Sequence, residues 1–290
     1  MLFKRGRESQ NVEDRRSQGG RGGLLGGGRS LGVGTLLLIL AGAYFGLDPR
    51  LILAVLEPTG APTSEMRREA PRPPANDQEA HFVSLVLQDT EVTFGDLFQR
   101  HGLRYQDPKL VLFSGATPTA CGMGQSAMGP FYCPPDQKVY IDLRFYDDLK
   151  KRFGAPGDFA QAYVVAHEVG HHVQNLLGIQ DKVQGMKARL RPLEANQLSV
   201  RMELQADCFA GVWAHNAQKA REVLEAGNVE EGLRAASAIG DDRLQRQSQG
   251  VVVPESFTHG TSAQRVAWFK NGLTQGTLEA CDTFDEGQGP

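Results

Sequence analysis

Apolar residues run from Leu31 through Leu47 without a charge, break at Asp48, Pro49 and Arg50, and resume from Leu51 to Leu56. The run has no polar face, so it does not read as a surface helix of a globular domain. Its uninterrupted part is at the short end of the roughly 17–25 residues that cross a bilayer. The pattern therefore predicts a membrane anchor over residues 31–56, a single transmembrane helix. A signal peptide fits poorly, because the preceding stretch is long and no A-x-A-like site follows. That stretch, residues 1–30, is rich in Arg, Gly and Ser without apolar period and reads as a flexible basic leader. Residues 57–79, with Pro58, Pro62, Pro71, Pro73 and Pro74, read as a Pro-rich linker.

Residues 80–290 carry the periodicities of a folded domain. Phe82, Val83, Leu85, Val86 and Leu87, then Phe94, Leu97 and Phe98, predict a helix over 80–102. Leu110 to Phe113 reads as a short strand. Tyr132-Cys133, the Pro134-Pro135-Asp136-Gln137 turn and Lys138 to Leu143 read as a hairpin. From about Asp158 onward the pattern is helical, with breaks at Gly178, Pro192, Gly227, Gly240 and Gly250. The fold class is α+β, mostly helical, with a small antiparallel sheet.

Charge and cysteines change this picture little. The formal net charge of −3 and the lack of a basic groove exclude a nucleic-acid partner. Lys4, Arg5, Arg7, Arg15, Arg16, Arg21 and Arg29 all precede the apolar run. By the positive-inside rule the amino terminus is then cytoplasmic and everything after residue 60 lies outside, which makes a single-pass protein. Cys121 and Cys133 bracket the Gly122-Met123-Gly124-Gln125 loop and can close it as a disulfide in an oxidising compartment. Cys208 and Cys281 are then left as a second pair. Buried free thiols are the alternative. No C-x-x-C pair suggests a zinc ribbon, and no pattern sets an oligomeric state.

The chemistry concentrates in Ala166-His167-Glu168-Val169-Gly170-His171, an H-E-x-x-H inside a helical run from Phe159 to Leu177. Residues i and i+4 share a helix face, so His167 and His171 can point at one metal ion. Glu168, offset around the helix, is placed to act as general base on water whose pKa zinc lowers towards about 7. His172 is turned away from that line and reads as a solvent or packing histidine. A catalytic zinc needs a third protein ligand, for which His215, Glu194, Glu203, Asp207 and His259 are available. Glu203 is the best of them. It lies one helical turn before Asp207, among the apolar residues Met202, Cys208, Phe209, Val212 and Trp213. Buried carboxylates of this kind imply a cation. Glu203 would ligate one zinc per chain, and Asp207 would fix the tautomer of a ligand histidine.

Two His and one Glu from two helices resemble the gluzincin arrangement of metallopeptidases. Several segments together resemble the bacterial "putative neutral zinc metallopeptidase" family over the whole chain. They are Thr117 to Gly122, Gly129 to Pro134, His167 to Gln174, Glu203 to Cys208 and His259 to Ser262. The resemblance implies a zincin-like domain acting on peptide or protein substrates. With the anchor, it implies a bacterial inner-membrane protein whose catalytic domain is periplasmic.

His259, with Arg265 after it, resembles the H-P-x-x-x-x-R element of membrane gluzincins, with Gly260 in place of Pro. That likeness implies a hydrogen bond from His259 to the oxyanion, and an Arg265 paired with Asp207 or Glu203. A loop histidine and a helix-surface arginine are the plain alternative. Thr261 or Ser262 caps the following helix, with Gln264 reaching back if Thr261 is the cap. The Tyr140 to Leu143 strand can hold an extended substrate by strand addition. The predicted function is zinc-dependent endopeptidase. A non-catalytic zinc-containing membrane adaptor and a hydrolase of cell-wall peptide amides are the competing readings, and Glu168 argues against the adaptor.

Overall fold

A computed structural model of the chain describes residues 1, 6–17 and 71–285. These described residues belong to one compact unit. Strand β1 (Val12–Asp14) comes from the leader, ahead of helix α1 (Gln78–Arg100). Asp77 starts α1 as its N-cap, its carboxylate accepting from the Ala80 amide at 3.0 Å. Val83, Val86, Leu87, Phe94, Leu97 and Phe98 then line its buried face.

Five more strands follow: β2 (Lys109–Leu112), β3 (Ala116–Thr119), β4 (Gly122–Gln125), β5 (Phe131–Cys133) and β6 (Lys138–Ile141). The main sheet has the order β1-β2-β6-β5. The β5–β6 hairpin is antiparallel, as the Pro-Pro-Asp-Gln turn requires. The β1–β2 and β2–β6 pairs are parallel, which corrects the expectation of an antiparallel sheet to a mixed one. The chain between β2 and β6 is long enough to return in the same direction, and it carries the separate β3–β4 hairpin on the way.

A second correction concerns the leader. Residues 12–14 are a strand, not part of a flexible arm. Val12 enters the core, and Glu13 pairs with Lys138 at 3.0 Å and with Arg15 at 2.7 Å. The expected anchor, residues 31–56, lies outside the described residues. Among the described residues no helix is long and apolar enough to cross a membrane.

The helices that follow are α2 (Arg144–Lys151), α3 (Asp158–Leu176), α4 (Ile179–Lys187), α5 (Pro192–Arg221), α6 (Asn228–Ala238), α7 (Asp241–Gln249) and α8 (Ser262–Gln275). Their ends fall at the predicted breaks. Gly178 and Gly227 precede α4 and α6 in left-handed conformation, Pro192 opens α5, and Thr261 caps α8 with Gln264 reaching back. Helices α5 and α8 touch backbone to backbone. A Cβ on Gly211 would stand 2.6 Å from the Leu273 nitrogen, closer than packed atoms allow. Around them Phe159, Tyr163, Phe209, Trp213 and Phe269 form the centre of the core, with Phe159 stacked on Trp213. Disulfides join Cys121 to Cys133, and Cys208 on α5 to Cys281 beyond α8.

Candidate metal centre and active site

Helices α3 and α5 pack side by side, and Gly170 sets how closely. A Cβ at this position would lie 2.9 Å from the Ala206 carbonyl oxygen and 3.0 Å from its Cα. The mid-helix glycine, unfavourable by about 1 kcal/mol relative to Ala in isolation, thus lets the two helices meet where the histidines face the carboxylates. A Gly170→Val substitution is expected to cost about 1–3 kcal/mol through overpacking. It should also weaken metal binding, a pairing of effects that thermal melts and metal titration of one preparation can check.

Across this contact, His167, His171 and Glu203 each offer one ligand atom, and these atoms lie within 4.8 Å of one another. His167 Nε2 is 3.2 Å from Glu203 Oε2, and His171 Nε2 is 3.5 Å from Glu203 Oε1. The far side of each ring faces an acceptor. His167 Nδ1 lies 2.9 Å from Asp207 Oδ1, and His171 Nδ1 lies 2.8 Å from Gln174 Oε1. Those partners accept the Nδ1 protons and leave both Nε2 atoms facing the carboxylate of Glu203, to which they donate when protonated and beside which they would present lone pairs to a bound ion. Burial raises the Glu203 pKa, but His171 and His167 outweigh it and hold the group ionised. Three electron-pair donors facing one another suit a divalent cation, and two imidazoles with one carboxylate suit zinc.

The supporting network extends further than sequence reasoning reached. Asp207 is fully buried and takes both Arg265 Nε, at 2.8 Å, and Arg265 Nη2, at 2.9 Å. Tyr163, one turn before His167 on α3, donates its hydroxyl to the same carboxylate. Gln174 is fixed in turn by donating to the Met202 carbonyl at 2.6 Å and to Gln205 Oε1 at 3.1 Å. Spacing held the signal for both: Tyr163 is at i−4 from His167 and Gln174 at i+3 from His171. Arg265 is thus a core arginine paired with Asp207, not a helix-surface one.

Glu168 lies on the wall of the same cleft, a hollow of about 600 Å³ that also exposes His167, His171, Glu203 and His259. Only 7% of Glu168 is exposed, and burial, with help from Glu203, pushes its pKa up against the pull of the two histidines. His259 lies within the cleft wall, where Asp241 holds its backbone nitrogen at 2.6 Å and its Nδ1 at 3.2 Å. His172 is a buried packing residue between the Tyr132 hydroxyl, at 2.9 Å, and the Gln106 carbonyl, at 2.6 Å. His215 turns away to the Leu273 carbonyl, and Glu194 pairs with Arg191 on the surface. Neither joins the cluster.

The sheet edge at the cleft also differs from expectation. Strand β6, predicted to meet substrate, is interior, between β2 and β5. Strand β5 is the edge, and Gly129, Pro130, Phe131 and Tyr132 line the cleft.

A family described as "Putative neutral zinc metallopeptidase" matches residues 1–284. The chain belongs to this family. Among the similar proteins, "Uncharacterized protein YpfJ" of Escherichia coli (strain K12) is 53% identical over 290 residues, covering 98% of this chain and 99% of the relative. "Uncharacterized protein Rv2575" of Mycobacterium tuberculosis (strain ATCC 25618 / H37Rv) is 46% identical over 191 residues, covering 62% of this chain and 63% of the relative. No solved structure matches. The family description names zinc, and the His167–His171–Glu203 cluster could hold a metal ion.

Proposed function

We propose that this member of the zinc metallopeptidase family is a zinc-dependent endopeptidase with His167, His171 and Glu203 as metal ligands and Glu168 as general base. One observation carries the reading. Two imidazole Nε2 atoms and an ionised carboxylate converge within 4.8 Å, beside the buried carboxylate of Glu168, which among the described residues forms no ion pair with an arginine or lysine. A purely structural zinc has no use for Glu168 at that place. Zinc held there supplies a Lewis acid for the scissile carbonyl and lowers the pKa of water.

The chain's own residues do the rest. Glu168 takes the proton from the attacking water and passes it to the leaving amine. His259, anchored by Asp241, donates to the oxygen that becomes negative. The free edge of β5 holds an extended peptide through backbone hydrogen bonds. The two disulfides favour a compartment outside the cytoplasm, and the apolar residues 31–56 favour attachment to a bacterial inner membrane.

Metal analysis of the purified protein should find about one zinc per chain. Glu203→Ala is expected to weaken zinc binding by at least roughly 10–100-fold, while His215→Ala leaves it unchanged. The reverse order would move the third ligand to His215.

A further inference from the structure

We propose that the leader strand and the catalytic domain lie on the same side of any membrane the chain meets. The positive-inside count treats the leader as a cytoplasmic flank. Its described residues instead form part of the domain. β1 pairs with β2 in register from Val12 opposite Leu110 to Asp14 opposite Leu112. The Asp14 amide donates to the Pro71 carbonyl at 2.7 Å, and Arg16 bridges Asp14 and Asp77, each at 2.6 Å. The chain thus leaves the domain and returns to it at adjacent points. Arg15 and Arg16, two of the basic residues that set the predicted orientation, spend their charge on Glu13, Asp14 and Asp77.

An independent observation lies on α1. Glu91 is buried, 7% exposed, and its carboxylate accepts from Ser9 Oγ at 2.6 Å and Asn11 Nδ2 at 3.0 Å. A leader held across a membrane would strip both donors from this buried group and uncover the outer edge of β2. Buried polar groups without partners are costly. A β1 donated by a second copy gives the same result, because that strand too must share the domain's compartment.

The test uses the full chain in its cells, with single exposed cysteines placed by Gln10→Cys in the leader and Ser248→Cys in the domain. A membrane-impermeant maleimide is applied before and after lysis of spheroplasts, against the unsubstituted chain as background. Both positions are expected to label alike, either both before lysis or both only after it. Labelling of one before lysis and the other only after it overturns the proposal. Val12→Asp in the purified full chain gives a second readout. It should lower the melting temperature by roughly 5 °C or more, and an unchanged value would show that β1 is not part of the domain.

Discussion

Replacing Glu168 by Gln is expected to leave zinc bound at about one ion per chain while lowering kcat by roughly 10²–10⁴-fold. The amide keeps the size of the side chain, so the buried cleft wall it occupies is not disturbed. It also leaves His167, His171 and Glu203, the residues that would hold the metal, unchanged. What it cannot do is accept a proton. A general base lost in this way lowers the chemical step with little change in substrate binding, so KM should move far less than kcat. Single-turnover hydrolysis of a peptide substrate, measured beside metal content, separates the two. Unchanged turnover at full zinc occupancy would remove Glu168 as base, whereas loss of zinc would make it part of the metal cage.

The part of this site that was legible in the sequence lies on single helices. His167 and His171 share a face because they are one turn apart, and Glu203 and Asp207 do so for the same reason. Cluster and tautomer lock then follow from one packing event between α3 and α5. Gly170 lies where that event occurs, but nothing in the sequence around it says what it touches. Sheet order was not legible. Strand β6 alternates as a half-buried strand should, but only the tertiary pairing of β2 on its other side makes it interior and leaves β5 as the edge. β1 was hidden for a different reason. Three residues are too few to show an alternation, and Glu13, Asp14, Arg15 and Arg16 around them resemble a solvated charge run. Their partners Lys138, Lys109 and Asp77 lie far along the chain.

Arg265→Met should produce the largest loss of stability among single substitutions at the site, about 3–5 kcal/mol, because it strands Asp207. The arginine is 2% exposed and Asp207 is fully covered, so no water replaces the two lost hydrogen bonds. Burial raises the Asp207 pKa, and Arg265 first and His167 second are what hold it below its ordinary value. Without Arg265 the carboxylate must draw more on His167 and on the Tyr163 hydroxyl, or take up a proton. Either outcome disturbs the ring that presents Nε2 to the metal. Stability and zinc affinity are therefore expected to fall together in Arg265→Met. Adding Asp207→Asn removes the stranded charge, so the double variant should be less destabilised than the two single effects summed. Denaturant unfolding of all four proteins with and without chelator measures this coupling. A sum that is simply additive would mean that Arg265 acts through packing alone, with Asp207 held by His167 and Tyr163.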